Sequence, residues 1–188
     1  MTRTHILSLL FFICAVTIYS IFEWYQTGED ESGKNDYSMN PDFVAELLNS
    51  KAFAQSGKLS YKIDALKMEH YSELAVTYFE MPKYTLFPKS EGAPWEISAK
   101  EATLFGTNRV QLEEDVLLVA TDQDSIIKEI HGTYLELDLS TNIISSEQDI
   151  ELKGADFVMY GAGLIVDLNT KQITLTKHDK TNYFKQAQ

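Results

Sequence analysis

The chain has 188 residues, 44% of them apolar, with a formal net charge of -12. That length supports one domain with a true core plus an accessory segment, and the charge argues against nucleic acid, because phosphate binding needs a basic field that is missing here. Anionic membrane surfaces are repelled too, so an anionic amphiphile can be held only through its apolar parts.

Residues 1–25 open with Arg3 and continue without a charge from Ile6 to Phe22. As a helix this run spans about 30 Å, the thickness of a hydrocarbon core. Glu23 can reach the interface, and Trp24 and Tyr25 suit an interfacial aromatic belt. The run is read as an uncleaved, single-pass membrane anchor. A cleaved signal peptide fits less well because no pair of small residues precedes a polar start. Cys14, the single cysteine, follows bulky Ile13 in mid-run, which makes a poor lipoprotein site and leaves no intrachain disulfide. Arg3 lies on one side of the run and Glu29, Asp30 and Glu31 on the other, so the amino end is expected in the cytoplasm and the bulk of the chain outside. Residues 26–40 are polar and acidic without apolar periodicity, as expected of a flexible linker.

The folded domain is expected over 41–188. Its first stretch is ambiguous: Asn40 as N-cap, Pro41 at the first helical position and Phe43, Val44, Leu47 and Leu48 at helical spacing suggest a short helix, while a strand stays open. Beyond Gly57 the pattern is β. Leu59, Tyr61, Ile63 and Ala65 alternate, residues 74–81 are rich in β-formers, Pro82 and Pro88 limit the strands around Tyr84, and Trp95 and Ile97 open another. Turn chemistry falls at 90–94, 107–108, 122–125, 140–142, 161–163 and 169–171. Many strands of this length with no long helix imply an all-β sandwich, barrel or jelly roll.

Within this block the sequence repeats. TNRVQLEEDVLL (107–118) overlays TNIISSEQDIEL (141–152), and LELDLSTNII (135–144) overlays LIVDLNTKQI (164–173), at offsets of about 34 and 29 residues. Such spacing signals stacked strand-turn-strand rungs, each unable to bury its apolar face without neighbours.

No catalytic constellation stands out. His5, His70, His131 and His178 are scattered without metal-ligand spacing, thiol catalysis is removed with Cys14 in the anchor, and neither a Gly-x-Ser-x-Gly elbow nor a phosphate loop is present. Glu113, Glu114 and Asp115 read as a solvated strand face, and Asp122 with Asp124 as the flanks of a turn. An acid/base pair or calcium loop would need more converging oxygens. No cofactor or metal is expected. The alternating apolar positions leave two readings open. One is an ordinary closed core. In the other, splayed sheets let Leu59, Tyr61, Ile63, Phe79, Leu118, Leu135, Leu137, Ile150, Leu152 and Leu164 line a groove for a lipid.

Taken in order, the N-terminal anchor, GKLSYKIDALKMEHY (57–71), TYFEMPKYTLF (77–87), PWEISAKEATL (94–104), the LDLSTN turn and GADF…GAGLIVDL resemble the LptC family of lipopolysaccharide export in Gram-negative envelopes. The resemblance covers about 41–183. It implies an open antiparallel β-jelly roll, shared with LptA, behind one transmembrane helix in the inner membrane, with the domain in the periplasm. It also implies a first strand over 43–53, against the helical pattern there. Lipopolysaccharide would be received from the LptBFG ABC transporter and passed to LptA, without catalysis, in the service of outer membrane biogenesis. The edge formed by Ile173, Thr174, Leu175 and Tyr183 would dock the next carrier. The oligomeric state, homodimer included, stays open. Two rival classes are a membrane-anchored periplasmic scaffold that binds only proteins, and an envelope glycan enzyme, which would need two carboxylates converging in a cleft.

Overall fold

The computed structural model describes Thr17, Tyr19, residues 40–90 and residues 92–184. The chain divides into two units, 1–39 and 40–188, and the fold that follows is that of the second. The expected anchor and linker lie outside the described residues, apart from Thr17 and Tyr19, which are helical, and Asn40. Among the described residues no helix is long and apolar enough to cross a membrane.

The regular structure of the second unit is antiparallel β. Its strands are β1 Phe43–Phe53, β2 Leu59–Tyr71, β3 Val76–Glu80, β4 Lys83–Leu86, β5 Trp95–Ser98, β6 Glu101–Phe105, β7 Arg109–Ala120, β8 Ile127–Asp138, β9 Ile143–Gly154, β10 Phe157–Asp167 and β11 Gln172–Tyr183. They form one 11-stranded sheet. β3 and β4 are a single rung interrupted at Met81 and Pro82, since β3 pairs with the C-terminal part of β2 and β4 with its N-terminal part. β5 and β6 are likewise interrupted at Ala99 and Lys100, and pair with opposite ends of β7. Allowing for these two breaks, every rung pairs with its neighbours in sequence, and the sheet is a meander from β1 to β11.

The breaks fall on a line. Leu47 in β1 (φ 52°), Met81 between β3 and β4 (φ 49°), Glu114 and Asp115 in β7 (φ 59° and 50°) and Gly163 in β10 (φ 71°) all leave the extended conformation. Registers shift alongside, between Glu113 and Val116 against β8, between Gly132 and Glu136 against β9, and between Ala162 and Leu164 against β9. Bulges bend the strands that carry them, so the sheet creases here and its two halves close on one apolar core. That core joins Ile97, Leu118 and Ile130 from one half to Leu112, Leu135 and Leu137 from the other. Each such side chain contributes about 1.5–3 kcal/mol on burial. The result is a jelly-roll-like all-β domain.

The repeat is visible in the packing. β7 and β9 share one burial sequence up to their last residue, alternating buried positions on either side of three exposed residues at the crease. Their turns also match: Asp138 accepts the Ser140 and Thr141 N–H groups at 2.7 and 3.0 Å, and Asp167 accepts that of Asn169 at 2.8 Å. The left-handed turn residues Asn142 and Lys171 correspond (φ 61° and 60°). Two local readings are corrected. The helix pattern over 43–48 yields to pairing with β2, where Phe43 faces His70 and Leu48 faces Ala65. Residues 161–163, expected to form a turn, lie inside β10, where the glycines serve the crease and a close backbone approach at Lys177.

Opposite the crease the turns of the two halves are laced together. The amide of Asn142, a residue 2% exposed, donates to the Phe87 carbonyl at 3.1 Å and to Asn169 Oδ1 at 3.3 Å. The Lys89 N–H donates to Asn169 Oδ1 at 3.0 Å and the Ser90 hydroxyl to the Asn169 carbonyl at 2.7 Å. Lys171 Nζ reaches Asp122 Oδ2 at 2.7 Å, and Lys89 Nζ donates to the Ser140 carbonyl.

Candidate functional site

Period-2 alternation puts one side of every rung on the interior, and the ladder aligns those positions into rows that run across the strands. One row reads Ile63, Tyr84, Ile97, Leu118, Ile130, Leu152. Another, across the crease, reads Met68, Phe79, Ala102, Leu112, Leu135. The proposed groove positions Ile63, Phe79, Leu118, Leu135, Leu137, Ile150, Leu152 and Leu164 are all brought into this one cluster, and Tyr61 packs against it half-buried. Leu59, at the start of β2, is half-buried and outside the cluster. In the structure the clustered residues pack on one another, and the interior is closed.

The two terminal rungs each carry a free edge. Among the described residues β1 pairs only with β2 and β11 only with β10, so one side of each presents backbone donors and acceptors that no described strand pairs. On β11, Ile173 and Leu175 are half-buried and pack against the core, whereas Thr174 is exposed. Tyr183 is 77% exposed, with its ring 6.3 Å from that of Phe157. The edge at β1 escaped residue-level reading because its apolar positions mimic a helix. Only the resemblance placed a strand there.

The outer face is polar. Glu80, Glu101 and Glu113 stand in register on β3, β6 and β7, beside Lys67 on β2, and border an open concavity of about 350 Å³. Lys67 pairs with Glu69, which together with the nearby glutamates raises its pKa. Lys100 meets Asp115 at 2.8 Å, in keeping with a solvated face for the carboxylates at the crease. Asp122 accepts the Asp124 N–H at 3.0 Å within its turn, and the Lys171 ammonium is the main cause that lowers its pKa. Tyr134 is pushed up to about 12, first by burial and then by its hydrogen bond to Glu136. Among the described residues no group of His, Cys, Asp or Glu is arranged to hold a metal ion.

Fold and site together define an antiparallel, jelly-roll-like β-domain: a creased meander around an apolar interior, with both terminal edges unpaired among the described residues. Family comparison agrees with this. The model of the family described as "Lipopolysaccharide-assembly, LptC-related" matches residues 8–184. The lipopolysaccharide export system protein LptC of Escherichia coli K12 is 28% identical over 144 residues, covering 77% of this chain and 75% of that protein. The protein of the same name from Haemophilus influenzae is 27% identical over 161 residues, covering 77% of each chain. The chain belongs to the LptC-related lipopolysaccharide-assembly family.

Proposed function

We propose that this protein is a non-enzymatic lipopolysaccharide relay of the Gram-negative envelope. Residues 1–25 anchor it in the inner membrane, 26–40 tether it, and 41–188 form the periplasmic lipid-binding domain. The domain takes lipopolysaccharide from the LptBFG transporter, holds its acyl chains between the two halves of the sheet, and passes it to LptA at the β11 edge. The carrying observation is the continuous set of apolar inner rows in a sheet whose terminal edges are both free. At roughly 25 cal/mol per Å², a few hundred Å² of buried acyl surface contributes several kcal/mol. That is enough to offset repulsion between an acidic domain and anionic headgroups, which can stay in solvent. Unpaired edges are an aggregation hazard unless another strand covers them, and strand addition is the use that fits.

The test is site-specific photo-crosslinking in cells. A benzoylphenylalanine at half-buried Tyr61 is expected to capture lipopolysaccharide, and one at Glu101 on the exposed outer face is not. For handover, Tyr183→Ala is expected to leave the fold intact, given the exposure of Tyr183, and to weaken carrier docking. The closed interior is the observation that favours the rival scaffold reading. Absence of any lipid adduct at Tyr61, with carrier docking intact, would establish the scaffold and overturn the relay.

A further inference from the structure

Tyr84 is the inward-facing residue of β4 nearest the crease. Ile63 and Ile97 flank it in the ladder, and the rings of Tyr61 and Phe79 stand with their centroids 6.3 Å away. The residue is 1% exposed. Its hydroxyl makes no hydrogen bond to the protein, and among the described residues it is the buried side-chain polar atom left without a partner. An unpaired hydroxyl in an apolar interior is costly, and a phenylalanine would fill nearly the same space without that cost.

We propose that Tyr84 is a polar subsite inside the lipid groove, whose O–H donates to an oxygen on the acyl part of a bound amphiphile, either a β-hydroxyl or the carbonyl of the acyl linkage. The inference rests on the groove reading above. The rows beside Tyr84 are apolar on both sides, so a hydrocarbon chain that enters along them as the two halves of the sheet part would carry its first oxygens past the phenol. Burial raises the pKa of the phenol far above its ordinary value, so it remains a protonated donor across the physiological range. Apolar surface alone cannot distinguish an acyl chain from an alkyl chain. A single buried donor can, because a ligand lacking the oxygen leaves the donor unpaired.

The test uses the full chain held in amphipol and displacement of a fluorescent fatty-acyl probe. The competitors are maltosides that share one chain length: a β-hydroxymyristoyl ester, a myristoyl ester and a myristyl ether. The wild type is expected to bind one or both esters about two- to tenfold more tightly than the ether, the range of one net hydrogen bond. Preference for the hydroxyacyl ester alone identifies the β-hydroxyl as the acceptor, and equal preference for both identifies the carbonyl. Tyr84→Phe is expected to erase the preference and to melt at or above the wild-type temperature. Equal binding of all three by the wild type, or a preference that survives in Tyr84→Phe, overturns the subsite and leaves the groove standing. A variant that melts lower but keeps the preference shows that the hydroxyl has a structural partner such as a buried water, and also overturns it. Failure of every competitor to displace the probe removes the groove itself. Because the wild-type series is informative alone, the test survives a variant that does not fold.

Discussion

Replacing Asn142 tests whether the lacing opposite the crease holds the two halves together. Its amide bridges the Phe87 carbonyl and Asn169, while its backbone sits at φ 61°. Asn142→Gly keeps the backbone conformation and deletes two hydrogen bonds, each worth about 0.5–1.5 kcal/mol net, so a loss of about 1–3 kcal/mol is expected. Asn142→Ala deletes the same bonds and adds the penalty of a Cβ in the left-handed region, roughly 1 kcal/mol more. The extra chain entropy of unfolded glycine narrows that gap without reversing it. Both variants retain the backbone bonds from Asn142 N–H to the Asp138 carbonyl at 2.8 Å and from Leu168 N–H to the Asn142 carbonyl at 3.1 Å, so the β8–β9 turn should keep its shape. Urea unfolding followed by circular dichroism is expected to rank the proteins wild type, Gly, Ala, with unchanged slopes. A glycine variant as stable as the wild type would refute the bridging role of the side chain. An alanine variant equal to the glycine variant would refute the conformational role of the turn.

Other expectations can be checked on the same protein. Leu137→Ala, at a fully buried inner position, should cost about 2–5 kcal/mol, whereas Leu47→Ala, 79% exposed at the crease, should change stability by less than about 0.5 kcal/mol in urea. Gly161→Ala drives a methyl into the Lys177 carbonyl and the Leu175 side chain; thermal melting should show an overpacking loss of about 1–3 kcal/mol. The carboxyls of Asp138 and Asp167 have lowered pKa values, chiefly through the Ser140 hydroxyl and the Asn169 N–H respectively. Groups depressed on folding add stability above the ordinary carboxylate pKa and lose it as pH falls through their folded values. Stability should therefore drop below about pH 4, and the double variant D138N/D167N should show a shallower acid slope in melts between neutral and acid pH.

The inner face of the sheet was legible in the sequence because alternation is a local property. Leu135 and Leu137, or Ile150 and Leu152, announce a buried side two residues at a time, and the 34-residue echo between β7 and β9 announces that the rungs stack. The crease was not legible. Leu47, Met81 and Glu114 are not types that advertise a left-handed backbone, Asp115 is enriched there but sits in an acidic run that reads as a solvated strand face, and Gly161 with Gly163 resembles an ordinary turn. What makes these positions bend is their alignment across successive strands, a relation no single stretch contains. The same holds for Tyr84: in sequence it is one more strand aromatic, and only its burial without a partner sets it apart. At the first strand, Phe43, Val44, Leu47 and Leu48 satisfy a helical stripe, but pairing along the whole of β2 outweighs that weak preference.

Because each rung of the meander pairs only with the rungs before and after it in the chain, folding can proceed as a zipper from one end. Closing each new hairpin costs the entropy of one short turn rather than of a long loop, which favours rapid assembly despite the all-β composition. A chain delivered amino end first would find, for every strand that emerges, a partner already in place. Strand pairing would then never have to wait for the carboxyl end, and the edges exposed to misassociation at any moment would be the growing one and the free side of β1.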